Sequence, residues 1–144
     1  MCEIINRQGG YLELTDIKAK VLIIDDDADI RSAIRMTLES DSGVNYSFTE
    51  AGDVASGLTA LESTEPAVII LDLHMPGENG FDFMNKMKKE HSRSRSKVIV
   101  LTADNSIKNL LKAESEGVNA YQFIGKPFVN DELRALVLSL VLPK

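Results

Sequence analysis

Short apolar runs alternate along the chain with segments in which apolar residues recur every three or four positions. The runs are Val21–Ile24, Ala67–Leu71, Val98–Leu101 and Ala120–Ile124, and Tyr46–Glu50 is a shorter, more polar stretch between the first two. Brief apolar runs flanked by turn signals predict strands covered on both faces, and the mixed stretch predicts an edge strand. Helical spacing links Ile30, Ile34 and Leu38, then Val54, Leu58 and Leu61, then Phe83, Met84 and Met87, then Ile107, Leu110 and Leu111. A last helix is predicted from about Asn130 to Leu142, while Pro66 is expected to end the second helix and Gly117 to cap the fourth. Five strands alternating with five helices predict a doubly wound α/β domain.

This pattern gives meaning to the charges. Asp25, Asp26 and Asp27 follow the first run, Asp72 follows the third strand, Thr102 follows the fourth, and Lys126 precedes Pro127 after the fifth. In a parallel sheet those carboxyl ends share one rim, where open α/β sheets bind ligands. Carboxylates about 5 Å apart repel by roughly 3 kcal/mol per pair at an effective dielectric near 20. A hard divalent cation, Mg2+ or Mn2+, offsets such repulsion and leaves sites for phosphate oxygens. Lys126 adds a compact positive charge, so the set describes a phosphoryl-transfer site.

Each residue also has a plainer reading. Asp72 serves equally as ligand, helix cap or nucleophile, and the acids after Ile24 are common helix caps. Thr102 offers a hydroxyl to a phosphoryl oxygen or caps a helix beginning near Ser106, and Lys126 alone reads as a loop lysine. Complementary groups on four strand ends favour the site.

Composition narrows the partners. The 144 residues allow one domain, and a net charge of −6 argues against a general nucleic-acid surface. The basic cluster Arg93, Arg95 and Lys97, set among serines, reads as a solvated loop. A single cysteine, Cys2, forms no internal disulfide. Neither an apolar run of about 20 residues nor a secretory signal is visible, so the expected location is cytoplasmic.

Four segments, VLIIDDD (Val21–Asp27), VIILDLHMPGENG (Val68–Gly80), VIVLTA (Val98–Ala103) and GKPF (Gly125–Phe128), occur in this order. Together they resemble the receiver domain of the two-component response regulator family. The resemblance implies a flavodoxin-like sheet of order 2-1-3-4-5 with helices on both faces, spanning residues 20–144 and leaving residues 1–19 as an extension. It further implies that Asp72 accepts a phosphoryl group from a sensor histidine kinase or phosphotransfer protein. Asp25 and Asp26 match the Mg2+-binding pair, His74 the position whose backbone carbonyl completes the metal shell, Thr102 the switch hydroxyl and Lys126 the phosphoryl-binding lysine. The family often has a cis peptide before the proline matching Pro127. Such a domain promotes its own phosphorylation and dephosphorylation and turns over no external substrate.

The switch aromatic implied by the family falls on Phe123, with Tyr121 as competitor because the stretch from Gly117 to Lys126 is longer than the family's usual spacing. His74 and Asp104 match places flanking the path of attacking water, and His91 is expected at the solvated end of the third helix. Signal output is expected on the face formed by the fourth helix, fifth strand and last helix. There, Ala135, Leu138 and Leu142 form a second apolar stripe for a homodimer or an output protein, unless it packs on the extension. Residues 1–19 are expected either to add a short strand or to form an arm hinged at Gly9 and Gly10. Competing readings are a haloacid-dehalogenase-like phosphatase, which lacks a second acid at His74, and a flavodoxin-like electron carrier, which the acidic first loop disfavours. A receiver-like interaction module that does not use phosphorylation is a further alternative. Met1–Lys144 reads as a complete, stand-alone receiver, with the receiver piece of a longer regulator as the alternative.

Overall fold

The computed structural model describes residues 3–5, 9–13, 17–40, 43–103 and 122–142. Two short strands, β1 (Glu3–Ile5) and β2 (Tyr11–Glu13), pair antiparallel. The extension thus forms a hairpin rather than an arm, and Gly9 supplies a left-handed turn residue at φ 80°.

The main sheet contains β3 (Lys18–Ile24), β4 (Asn45–Ala51), β5 (Val68–Asp72), β6 (Lys97–Thr102) and β7 (Gln122–Gly125). These strands are all parallel and lie in the order β4-β3-β5-β6-β7, the expected 2-1-3-4-5 with the mixed strand at an edge. Four helices are described: α1 (Ala28–Glu39), α2 (Val54–Thr64), α3 (Gly80–Glu90) and α4 (Asn130–Val141). The helix predicted around Ile107 to Leu111, with Gly117, Asp104 and Tyr121, lies outside the described residues.

Alternation along the strands divides the core in two. Leu22, Ile24, Ile69, Leu71, Val98 and Val100 pack with Val54 and Leu61 of α2 and Phe83 and Met84 of α3. On the other face Val21, Ile23, Val68, Ile70, Ile99 and Leu101 pack with Ile34 and Leu38 of α1 and Leu133 and Val137 of α4. Each fully buried aliphatic side chain contributes roughly 1.5–3 kcal/mol. Burial on both faces explains why these strands read as continuous apolar runs.

Local chemistry fixes the helix starts. Asp27 caps α1 by accepting from Asp29 N at 2.9 Å, and Asp53 caps α2 by accepting from Ser56 N at 2.7 Å. Asn79 and Asp82 form a reciprocal capping box at the start of α3.

Several boundaries differ from expectation. β3 begins at Lys18 because Ile17 and Ala19 are buried while the lysines alternate outward. Asp72 and Thr102 are the final residues of β5 and β6, not the first loop residues. α2 ends at Thr64, before Pro66, because Glu65 turns left-handed at φ 46° and donates its N–H to Leu61 O. α4 ends at Val141, one residue short of Leu142. His91 is the C-cap of α3 rather than a solvated residue, its side chain only 16% exposed and its Nε2 3.7 Å from Glu62.

Candidate phosphoryl-transfer site

Strand register brings the predicted side chains to one level. Ile24 pairs with both Ala51 and Leu71, Asp72 pairs with Leu101, and Thr102 pairs with Gly125. Asp25, Asp72, Thr102 and Lys126 therefore stand together at the carboxyl rim, and the central position of β3 and β5 buries Asp25, Asp72 and Thr102.

The first loop is tied on three sides. Asp25 N donates to Ala51 O at 3.1 Å, Arg31 Nη1 donates to Asp25 O at 2.5 Å, and Asp27 N donates to Asp25 Oδ1 at 2.9 Å. Asp26 is left exposed, while Asp27 is occupied as the cap of α1. After β5, His74 N donates to Asp72 Oδ1 at 3.2 Å and the His74 side chain is exposed. The loop then returns through Gly80, whose N–H donates to Leu73 O at 3.1 Å.

Lys126 closes the group from the opposite side. Its N–H donates to Thr102 O at 2.9 Å, and the following peptide to Pro127 is cis, as expected. The ammonium lies 3.1 Å from Asp25 Oδ2 and 3.1 Å from Asp72 Oδ1. Burial pulls the Lys126 amine down, but its hydrogen bonds and attraction to Asp25 and Asp72 outweigh this and hold it above its ordinary value. Burial pushes the Asp25 carboxyl up and Asp72 repulsion adds to it, more than the Asp27 N–H and Lys126 offset.

One carboxylate oxygen from each of Asp25, Asp26 and Asp72 lies within 4.8 Å of the others. That spacing approaches the roughly 4.2 Å across a Mg2+ coordination sphere, and oxygen donors suit a hard cation. The donor set therefore fits a divalent metal, with one lysine set against three acids.

The receiver-domain description of response regulators matches residues 21–138. The chain belongs to the response regulator receiver family. It is 30% identical over 121 residues to a response regulator of Synechocystis, covering 84% of this chain and 51% of that protein. It is also 30% identical over 120 residues to the DNA-binding transcriptional regulator NtrC of Proteus hauseri, covering 83% of this chain and 24% of the relative. The chain thus spans about half or less of these relatives' length. The solved receiver domain of a Francisella response regulator superposes with a TM-score of 0.71 at 29% identity, covering 85% of this chain and 96% of that one. Receiver domains belong to two-component signalling, and that is the setting of this chain.

Around this receiver site, sequence reasoning missed Arg31 and Gly80. Arg31 bridges to Glu50 Oε1 at 3.1 Å as well as to the Asp25 carbonyl, a contact that depends on β4 lying beside β3. A Cβ on Gly80 would fall 2.6 Å from Asp72 O, a close approach foreshadowed only by the glycine that opens a capped helix. Phe123 is half-buried against the α2 and α3 side of the core. Ala135 is exposed, and Leu138 and Leu142 are half-buried.

Proposed function

We propose that this receiver is a phosphorylation switch in which Asp72 accepts a phosphoryl group from a phosphohistidine on a sensor kinase or phosphotransfer protein. The observation that carries this reading is the placement of Lys126 Nζ 3.1 Å from carboxylate oxygens of both Asp25 and Asp72, beside Asp26. Asp25, Asp26, Asp72 and the backbone carbonyl of His74 would hold Mg2+ or Mn2+. When bound, the cation supplies positive charge that neutralises the anionic oxygens of the transferring group.

The residues themselves do the rest. A carboxylate oxygen of Asp72 attacks phosphorus, a P–O bond forms as the P–N bond breaks, and the electron pair leaves with the donor imidazole. Lys126 stays cationic across the neutral range and balances charge on the transferring oxygens. The product is an acyl phosphate at Asp72. Thr102, buried at the adjoining strand end, donates its hydroxyl to a phosphoryl oxygen, and Phe123 moves with it. The change reaches the face that includes β7 and α4, where Ala135, Leu138 and Leu142 meet an output protein or a second copy. Residues 20–144 act as this unit, residues 1–19 as an appendage, and the domain works in the cytoplasm without external turnover.

Incubation with Mg2+ and acetyl phosphate, followed by intact mass, tests the reading. One phosphoryl adduct on the wild type, absent from Asp72→Asn, is expected. Failure of small phosphodonors and histidine kinases alike to modify a folded wild-type protein would sink it and leave an interaction module.

A further inference from the structure

At the rim opposite Asp72, the amino ends of β3, β5 and β6 border a cleft of about 1140 Å3. Cations enter it in two rows. Lys18 and Lys20 are exposed either side of buried Ala19. Arg93, Arg95 and Lys97 are likewise exposed, alternating with half-buried Ser94 and Ser96. Extended backbone repeats its side-chain direction every second residue, about 6.6 Å apart, so each row presents its charges on one side.

The second row is anchored. Ser96 Oγ donates to Pro66 O at 2.5 Å, Ser96 N donates to Ser94 Oγ at 3.3 Å, and Lys97 N donates to Ala67 O at 2.9 Å. Serines thus fasten the segment to β5 and leave the basic side chains outward. Elsewhere Arg31, Arg35, Lys86, Lys126 and Arg134 each meet a carboxylate. Among the described residues none of the five cleft cations does, although Lys20 Nζ donates to Thr64 O at 3.2 Å. The acids that line the cleft, Glu62, Glu65 and Glu90, belong to the ends of α2 and α3, and Glu62 faces His91. A cationic wall thus stands apart from an acidic one in a chain whose net charge is −6.

We propose that the cationic wall binds an anion carrying several linked phosphates, whether inorganic polyphosphate or the polyphosphate arm of a nucleotide. Two rows of point charges and guanidinium forks match successive phosphate groups, whereas the acidic wall excludes the ligand from the helix side. This assignment is independent of phosphorylation at Asp72.

Calorimetric titration of the full chain in Mg2+-free buffer with inorganic tripolyphosphate tests it, with ATP and a pentaglutamate peptide as parallel arms. Saturable tripolyphosphate binding is expected, at least tenfold weaker in Arg93→Gln/Arg95→Gln and in Lys18→Gln/Lys20→Gln. Equal affinity for ATP assigns the contacts to phosphates alone, and tighter ATP binding adds the nucleoside; both support the proposal. No saturable binding, undiminished binding by both double variants, or equal affinity for pentaglutamate overturns it. Retained adduct formation with acetyl phosphate shows that the variants are folded.

Discussion

Arg31 donates from Nη1 to the backbone carbonyl of Asp25 at 2.5 Å, fixing the first acidic loop from the helix that follows it. Its Nε also reaches Glu50, which in turn pairs with Arg35 at 2.8 Å, so the edge strand and α1 hold the guanidinium in place. A hydrogen bond to a charged donor contributes about 1.5–3 kcal/mol. Arg31→Ala is expected to lower stability by about that amount and to weaken Mg2+ binding by loosening Asp25 and Asp26. Urea unfolding and Mg2+ titration check both effects, and an unchanged Mg2+ affinity would detach Arg31 from the metal loop. Arg31→Lys should recover little, because one ammonium cannot span the carbonyl and Glu50 as a fork does.

Divalent metal should also stabilise the whole domain. Mg2+ at a hundred times its Kd is expected to add about 2.7 kcal/mol, visible as a raised Tm. Asp26→Asn removes a donor that is exposed in the metal-free fold, so it should reduce the Mg2+ increment while costing little without metal. An equal Mg2+ increment in the variant would exclude Asp26 as a ligand.

How far the chain could be read in advance follows from where each contact lies. The central strands were legible because both faces of β3, β5 and β6 are covered, leaving apolar runs that end in Asp25, Asp72 and Thr102. The convergence of Lys126 on Asp25 and Asp72 followed once those strands were taken as parallel neighbours. Arg31 was not legible, since its partners Glu50 and Asp25 O meet only through β3–β4 register. The hairpin of β1 and β2 lacked the alternating run that marks a longer strand. Arg93, Arg95 and Lys97 read as a loose loop because their anchor, Ser96 on Pro66 O, joins residues thirty positions apart.

Gly80 should tolerate no side chain. A Cβ there meets Asp72 O at 2.6 Å and Leu73 Cα at 2.8 Å, and both are backbone atoms with no rotamer to yield. Gly80→Ala is expected to cost about 1–3 kcal/mol through overpacking and to displace Asp72, slowing adduct formation with acetyl phosphate. Gly57→Ala is the control: its Cβ would lie 2.8 Å from Ile24 Cδ1, remote from the rim. It should lower stability with far less effect on phosphorylation per folded molecule. Equal losses in the two variants would show that Gly80 matters only for folding.

The raised Asp25 carboxyl sets a pH dependence whose sign can be derived. Because the folded value exceeds the unfolded 3.8, the folded chain holds the extra proton between the two, and the ionised carboxylate costs stability above that window. In metal-free buffer Asp25→Asn, which resembles the protonated acid, is expected to be more stable than wild type at neutral pH. The gap should narrow as pH falls through the raised value toward 3.8. Lys126 acts in the opposite range: held above 10.5 by Asp25 and Asp72, it stabilises fully below that value and loses its contribution as pH rises through the elevated one. Alkaline destabilisation should therefore be shallower in Lys126→Met than in wild type. Urea midpoints across both ranges decide the matter: a wild type more stable than Asp25→Asn at neutral pH would mean that Lys126 outweighs burial at Asp25.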